Sequence, residues 1–338
     1  MNDFEVVNRI EKIIGRKISV NFDNGVCNKL SLGNENYPFY GLARHLSDKD
    51  KAKVLNLVSL LSGLERLDLR QNLLGSLPNG FSELKKLKYL DLASNNLGEI
   101  PELVFLLEDL EFLNLGVNQL SYISDNIGSL RKLEKLYLHK NKIEYLPLSI
   151  TELSDLKVLN LYLNRFKVFP LVVFDLDCIS TFAWGVSDLE CIPDQIERWK
   201  DLEYVSFVAN KIENIEPLFN NCNLLGVRVH KNRISNISGR ICNLEKMRQI
   251  SLYQNELSIL PEGFSTLYNV EMINLAQNNF KNIPSCLSKL EKLSWLSMHD
   301  NEININELPC FVGNIKKMIL ERPFTNDSVP TWNKLDYM

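Results

Sequence analysis

The sequence has no cysteine pattern of the kind that builds disulfide frameworks or zinc sites. Its 338 residues include seven cysteines, an odd number, and no two of them form C-x-x-C. They are scattered along the chain at Cys27, Cys178, Cys191, Cys222, Cys242, Cys286 and Cys310. A secreted disulfide scaffold or a structural zinc site needs closely paired cysteines. The pattern therefore predicts a reducing, cytoplasmic location and no structural metal.

Long apolar runs and an excess of positive charge are also missing. No stretch approaches the roughly 20 apolar residues of a membrane span, and the first residues, MNDFEVVNRIEKIIGRK, interleave apolar with charged side chains, unlike a signal peptide. The formal net charge is -4. Proteins that bind nucleic acid by neutralising phosphates are usually strongly basic. We therefore expect neither a membrane nor a nucleic acid as partner.

Catalytic signatures are absent as well. The sequence contains no P-loop, no G-x-S-x-G and no H-E-x-x-H. Catalysis needs a nucleophile, a base and an orienting group that converge in one pocket. Too few residues lie outside the repeats described next to form a separate catalytic domain. The sequence thus predicts a protein that is not an enzyme and that uses no cofactor.

What the sequence does contain is an internal repeat that reads L-x-x-L-x-L-x-x-N-x-L. It starts at Leu64 and restarts with nine spacings of 23 residues and one of 22. The eleven starting residues are Leu64, Leu87, Leu110, Leu133, Leu156, Ile179, Leu202, Leu224, Met247, Val270 and Leu293. We number positions within each repeat from this first residue. A fixed period of this length indicates stacked coils that share one core.

Each repeat position has a physical role. Positions 4 and 6 are apolar with a variable residue between them, which is typical of a short strand that buries one face. Position 9 is asparagine in every repeat except the sixth, which has Ser187. An amide both donates and accepts, so this column is expected to satisfy backbone groups between coils. Apolar residues at positions 18 and 21, such as Ile150 and Leu153, have helical spacing; Cys222 is predicted to replace the leucine at position 21.

The LPxxIxxLxxLxxLxLxxNxL pattern resembles that of the leucine-rich repeat proteins with 23-residue units, in particular the Ras-group and related intracellular members. The resemblance covers about residues 64–315. It implies an α/β fold, a curved solenoid with a parallel β-sheet on its concave face and short helices, 3-10 turns or loops on its convex face. It also implies a protein-binding scaffold, without naming the partner.

The chain ends are expected to cap the stack. Residues 1–63 are predicted as an N-terminal cap of helix, hairpin, first strand and helix, with the hairpin turn at Asn24-Gly25 and a helix start at Ser47. Residues 64–315 form the repeats. Residues 316–338 are predicted as a final edge strand followed by an irregular tail.

Repeat positions 3, 5 and 7 are predicted to point away from the core and to form the concave surface. The candidate partner-binding residues lie at these positions: Phe112, Tyr137, His139, Tyr162, Arg228, His230, Tyr253, Trp295 and His299. Val117 and Leu163 are expected to be exposed beside the first group, and Lys231 and Arg233 accompany the second. Tyr and Arg are enriched in interface hot spots. The alternative is a solvated surface whose side chains only cover the sheet.

A metal role for the histidines is disfavoured by spacing. Three of the four histidines occupy position 7, and His139 and His230 lie four repeats apart. Strands spaced ~4.8 Å apart place them roughly 19 Å from each other, whereas zinc binds nitrogen at ~2 Å.

The sixth repeat departs most from the pattern, with Phe182 and Trp184 at core positions. Local repacking by bulkier side chains, or a bend that adjusts curvature for a partner, would each account for it.

The predicted function is a monomeric, non-catalytic scaffold that binds a protein or peptide through the concave face. The alternative is a targeting or regulatory subunit, or a secreted effector, that directs a separate enzyme to its substrate. That enzyme would act in a phosphatase, ubiquitin ligase or small GTPase pathway. A catalytic partner bound to the chain would favour the second hypothesis.

Overall fold

The computed structural model describes residues 1–33, 46–304, 309–310 and 315–320. These residues form two compact units. The first comprises Met1–Phe166 and Pro170–Cys178, and the second comprises Lys167–Phe169 and the described residues from Ile179 onward. The sequence-based limits 1–63, 64–315 and 316–338 follow the repeat pattern instead and remain a proposal. The predicted tail after residue 321 lies outside the described residues.

The first unit begins with helix α1 (Asp3–Ile14), the hairpin β1 (Ser19–Asp23) and β2 (Val26–Ser31), and helix α2 (Asp48–Val58). Its remaining strands are β3 (Arg66–Asp68), β4 (Tyr89–Asp91), β5 (Phe112–Asn114), β6 (Lys135–Tyr137) and β7 (Val158–Asn160). β1 is antiparallel to β2, and β2 to β7 pair in parallel in chain order. The opposite side of the coils carries 3-10 helices at Asn79–Glu83, Glu102–Leu106, Asp125–Ser129, Leu148–Glu152 and Leu171–Asp175.

Local signals account for the N-terminal elements. The Asn2 side chain accepts from the Glu5 N–H and the Glu5 carboxylate accepts from the Asn2 N–H, which is a capping box. The hairpin turns through Asn24 and Gly25, whose φ angles are 49° and 82°, the left-handed pair that a two-residue type I′ turn requires. The Ser47 side chain accepts from the Asp50 N–H at the start of α2. These local contacts order the elements of the N-terminal cap, which precedes the first full repeat in the chain.

The second unit contains β8 (Thr181–Gly185), β9 (Tyr204–Val208), β10 (Gly226–Arg228), β11 (Gln249–Ser251), β12 (Met272–Asn274), β13 (Trp295–Ser297) and β14 (Lys317–Ile319). These strands also pair in parallel in chain order. Its 3-10 helices span Asp194–Arg198, Glu216–Asn220, Gly239–Asn243, Glu262–Thr266 and Ser285–Lys289. The predicted combination of parallel strands and short 3-10 turns is thus present in each unit.

The core of each unit is formed by the predicted repeat positions. In the fourth repeat, the residues at positions 1, 4 and 6 (Leu133, Leu136 and Leu138) are all 0% exposed. Ile150 and Leu153 close the other side of the coil from the 3-10 segment and are also buried. No coil encloses this core alone, so neighbouring coils must supply the remaining contacts.

The asparagine column joins adjacent coils, as predicted. The Asn141 Nδ2 group donates to the Leu138 carbonyl of its own coil at 2.9 Å and to the Leu115 carbonyl of the preceding coil at 3.0 Å. Its Oδ1 accepts from the Leu120 N–H at 3.0 Å. The same three-way pattern recurs at Asn95, Asn118, Asn164, Asn232, Asn255, Asn278 and Asn301. Each amide thus satisfies backbone groups that the turn leaves unpaired.

Replacing Asn141 by alanine is expected to lower the free energy of unfolding by ~1–3 kcal/mol, because buried backbone groups would lose their partners. Urea unfolding followed by circular dichroism measures this change. Asn96→Ala is the matched control, since Asn96 is exposed at the neighbouring repeat position. Equal effects of the two substitutions would contradict the proposed role of the column.

The sixth repeat is repacked around aromatic rings. Phe182 is fully buried and its ring lies 4.9 Å from that of Trp199 and 5.9 Å from that of Phe207. The Trp184 indole N–H donates to the Ser187 hydroxyl at 2.9 Å. That hydroxyl donates to the Asn210 Oδ1 at 2.6 Å. Ser187 therefore replaces the usual asparagine as a link between coils, which supports the repacking interpretation.

One core assignment was wrong. Cys222 is exposed, and Asn221 occupies the buried site with 4% exposure. The Asn221 amide donates to the Ile196 carbonyl at 3.2 Å and to the Trp199 carbonyl at 3.0 Å. This repeat is one residue shorter than the others, so the buried site falls one residue earlier than the pattern predicts.

Candidate functional site

The face of each unit that carries repeat positions 3, 5 and 7 is here called the strand face. Its position 5 side chains are largely structural. Asp91, Asn114 and Asn160 each accept, at 3.0 Å, a hydrogen bond from the backbone N–H two residues later. These bonds hold the chain where each strand ends. Several position 5 residues are therefore buried rather than available to a partner: Asp68, Asp91, Asn160, Ser206, Ser251 and Ser297.

A row of stacked side chains crosses the strand face of the first unit. The Arg66 guanidinium lies 3.5 Å from the centroid of the Tyr89 ring. The Tyr89 ring stacks on Phe112 with centroids 4.0 Å apart and planes 11° apart, and the centroids of Phe112 and Tyr137 are 5.3 Å apart. We call Arg66, Tyr89, Phe112 and Tyr137 the ring row. All three rings are half-buried, so each keeps an accessible edge.

Phe112 and Tyr137 were predicted as site residues, whereas Arg66 and Tyr89 were not. The signal was present in the sequence, because Arg66, Tyr89 and Phe112 all occupy position 3 of consecutive repeats. Their Cα atoms are in register across β3, β4 and β5. A cation, a tyrosine and a phenylalanine at one position on adjacent strands are close enough to stack.

His139 and Tyr162 lie at position 7 beside the ring row. The His139 ring packs over Gly116, where an added Cβ would come within 2.2 Å of the imidazole Cε1. Burial, and secondarily Lys140, lowers the pKa of His139 to about 4. The ring is therefore neutral at pH 7 and its Nδ1 has no hydrogen-bond partner among the described residues. Tyr162 is half-buried, as is Leu163, which was predicted to be exposed; Val117 is 40% exposed.

A buried ionic group supports the ring row at the Arg66 end. The Arg70 Nη2 group lies 2.8 Å from Asp68 Oδ2, and its Nε lies 3.5 Å from Asp91 Oδ2. Burial raises the pKa of the Asp91 carboxyl to about 6, although the Ala93 N–H acts in the opposite direction. Burial also raises the pKa of Tyr89 above its usual value. The Tyr89 hydroxyl donates to Asp91 Oδ2 at 3.4 Å, so this ionic group, which was not predicted, contacts the ring row directly.

In the second unit, Tyr253 lies between two histidines. Its ring centroid is 6.1 Å from that of His230 and 6.4 Å from that of His299. Tyr253 and His299 approach each other because the strand between them has only Ala276 at position 7. The structure thus brings together three predicted residues, and Arg228 lies two residues before His230 at position 5 of β10.

The two histidines of this group differ in environment. Burial, followed by the charges of Arg228 and Lys231, lowers the pKa of His230 to about 4. Its Nδ1 lies 3.4 Å from the Ser251 hydroxyl. The His299 Nδ1 lies 3.3 Å from the Asp300 carboxylate. His230 is therefore a neutral hydrogen-bonding group at pH 7.

Trp295 does not belong to the accessible strand face, contrary to prediction. It is only 5% exposed. In the sheet it pairs in register with Met272 on one side and Lys317 on the other. A ring at position 3 is therefore not accessible merely because its strand position faces away from the repeat core. Removing Trp295 from the candidate surface leaves His230, Tyr253 and His299 as its ring-bearing members in the second unit.

Neither a cluster of metal-binding side chains nor a membrane-crossing helix occurs among the described residues. Within them, no three histidine, cysteine or acidic side chains come together in a metal-binding arrangement. No described helix has the length and apolar character needed to cross a bilayer. The chemistry offered by the strand face is thus ring stacking, neutral imidazole hydrogen bonding and a few cations.

The repeats and the asparagine column agree with a sequence comparison. The Leucine rich repeat family model matches residues 57–97, 86–143 and 258–303. The fold is that of leucine-rich repeats. No curated protein matches the chain by sequence.

Solved structures share this fold. A leucine-rich repeat protein of Leptospira interrogans is 23% identical with a TM-score of 0.66, and the match covers 81% of each chain. An internalin of Listeria monocytogenes is 18% identical with a TM-score of 0.70, covering 99% of this chain and 93% of the internalin. The plant peptide hormone receptor RGFR1, solved in complex with RGF2, is 26% identical with a TM-score of 0.59. That match covers 77% of this chain and 48% of the receptor.

Proposed function

We propose that the leucine-rich repeats of this chain bind a protein or peptide partner through the strand face and carry out no catalysis. The ring row of the first unit is the observation that supports this most strongly. Three aromatic rings and a guanidinium stack on consecutive strands and remain partly open to solvent. Tyrosine, tryptophan and arginine dominate binding energy at protein interfaces.

The ring row is suited to binding because it is already ordered. β4, β5 and β6 each pair with a strand on both sides, so their backbones lose little freedom when a partner binds. Half-buried rings that stack on one another also lose little side-chain entropy. Preorganisation of this kind lowers the entropic cost of association. We therefore propose Phe112, Tyr137, His139 and Tyr162 as the first contact, extended by Tyr89 and Arg66.

The second proposed contact is formed by Arg228, His230, Tyr253 and His299 on the strand face of the second unit. A neutral His230 presents a polar ring without the desolvation cost of a charge, and Arg228 provides a cation at position 5 of the same strand. This combination suits a polar or acidic segment of a partner. The plant receptor solved with RGF2 supports a peptide as one class of ligand for such a face.

Several narrower properties complete the proposal. The chain is proposed to be a cytoplasmic monomer of the Ras-group type of leucine-rich repeat protein, without cofactor, metal, membrane or nucleic-acid partner. The alternative, a targeting or regulatory subunit of a separate enzyme, shares the same binding step. The two are distinguished by what is recovered with the chain: a catalytically active partner supports the alternative.

The test begins with recovery of partners on the intact chain, identified by mass spectrometry. Tyr137→Ala and Tyr162→Ala are then each expected to weaken binding of the recovered partner by ~1–3 kcal/mol, the range of interface hot spots. Isothermal titration calorimetry measures the affinity. The melting temperature should change little, because both side chains lie outside the core.

Glu152→Ala is the control, since Glu152 is exposed on a 3-10 segment opposite the strands. It should leave the affinity unchanged. Normal binding by both tyrosine variants together with loss of binding in Glu152→Ala would show that the partner uses the other side of the coils.

A further inference from the structure

Helices α1 and α2 of the N-terminal cap leave a groove between their outer faces. The groove has a volume of about 470 Å³ and is lined by Arg9, Lys12, Ile13, Lys53, Asn56, Leu57 and Leu60. Arg9, Lys12 and Ile13 on α1, and Lys53, Asn56 and Leu57 on α2, follow the i, i+3, i+4 spacing of a single face, and Leu60 lies two residues after the end of α2. A cavity of this size falls in the range of ligand-binding clefts. It lies in the N-terminal cap and not on the strand face.

The floor of the groove is apolar and accessible. Leu60 is 54% exposed, while Ile13 and Leu57 are half-buried. The opposite sides of the two helices already supply core residues, namely Val6, Val7 and Ile10 of α1 and Val54, Leu55 and Val58 of α2. Ile13, Leu57 and Leu60 are therefore not part of the core of the cap, and we expect another molecule to cover them.

The rim of the groove is cationic, with Arg9 and Lys12 on α1 and Lys53 on α2. Lys53 pairs with Asp50 at 2.7 Å. Arg9 and Lys12 form no ion pair or hydrogen bond with any acidic group among the described residues. The other acidic residues of the two helices have partners elsewhere: Asp3 with the Cys27 N–H, Glu5 with the Asn2 N–H, Glu11 with Lys17 and Asp48 with Lys51. The lining of the groove thus contains three cations and no acidic residue.

We infer that this groove is a second docking site, for an acidic amphipathic helical segment of another protein. Apolar side chains of the segment would cover Ile13, Leu57 and Leu60, and its carboxylates would pair with Arg9 and Lys12. Charge complementarity argues for an acidic partner. A groove whose lining combines apolar side chains with cations matches the apolar face and the carboxylates of an amphipathic helix, a recurring mode of peptide recognition.

A labelled synthetic peptide tests the inference. The probe is an amphipathic helix with leucine at i, i+3, i+4 and i+7 and glutamate at the other positions; a version with lysine in place of glutamate is the control peptide. Fluorescence anisotropy with the full chain should show saturable binding of the acidic peptide alone. Binding should weaken as salt concentration rises, because the ion pairs at the rim are partly exposed.

Variants locate the site. Arg9→Glu combined with Lys12→Glu should weaken binding at least tenfold, as should Leu60→Ser, and each changes exposed side chains only. Lys86→Glu combined with Lys289→Glu makes the same charge change at exposed residues elsewhere and should have no effect. Methyl resonances of Ile13, Leu57 and Leu60 should shift on titration with the acidic peptide.

Three results would overturn the inference. They are the absence of saturable binding, equal binding by the Arg9→Glu/Lys12→Glu variant, and shifts confined to methyl groups outside the groove. Sedimentation with phosphatidylserine vesicles adds a fourth. If the chain binds these vesicles through Arg9 and Lys12 but does not bind the peptide, the groove contacts an anionic membrane and the protein-docking inference is wrong.

Discussion

Replacing Phe182 by alanine is expected to lower the free energy of unfolding of the chain by about 3–5 kcal/mol. Phe182 is fully buried in the sixth repeat, and its ring lies among those of Phe169, Trp199 and Phe207. Removing the ring loses its transfer free energy and leaves a cavity that large, mutually packed neighbours cannot fill. The decrease is measured by chemical denaturation.

Tyr268→Ala is the matched control in the same unit, because Tyr268 is 61% exposed. It should change the free energy of unfolding by less than about 0.5 kcal/mol, as is usual for surface substitutions. A cost at Phe182 no greater than this would mean that the aromatic repacking of the sixth repeat contributes little to stability.

The fold was predictable because the same environment recurs in every coil. Leu136 and its counterparts 23 residues apart occupy the same strand position, so the apolar pattern specifies the buried face repeatedly. The asparagine column was predictable for a chemical reason. Only a side chain that both donates and accepts can satisfy the carbonyl groups of two coils and an N–H together, as Asn141 does.

Properties that depend on neighbouring repeats were not predictable from the pattern of a single repeat. Trp295 occupies position 3, which is outward in the repeat pattern, yet it is only 5% exposed. Cys222 was predicted at the buried site, but Asn221 fills it and Cys222 is exposed, because this repeat is one residue shorter than the others. In both cases the repeat pattern alone did not determine which side chain is buried.

The chemistry of the candidate site depended on burial in the same way. The sequence indicated a histidine column but not its protonation, and burial lowers the pKa of both His139 and His230 to about 4. The shared position 3 indicates that Arg66 and Tyr89 are neighbours, whereas the stacked conformation of their side chains is given only by the structure. The groove between α1 and α2 likewise required the packing of two helices, of which the sequence gave only the separate apolar faces.

The double substitution Tyr89→Ser/Phe112→Ser is expected to weaken binding of the partner proposed for the strand face by about 100-fold or more, which corresponds to at least ~2.7 kcal/mol. The two rings stack with centroids 4.0 Å apart, and Phe112 also contacts Tyr137. Their loss would remove two contact surfaces and the lateral support of a third. Because this variant removes two rings of the row together, it should lose more binding energy than the substitution of one ring.

The control is Tyr122→Ser/Tyr145→Ser, which removes two aromatic rings from the same unit at exposed sites away from the strands. Titration calorimetry with the partner recovered on the intact chain compares the two variants. Thermal unfolding should show both folded, since none of the four rings belongs to the fully buried core. If the two double variants bind equally well, the ring row is only a cover for the sheet, and the partner must be held by other residues.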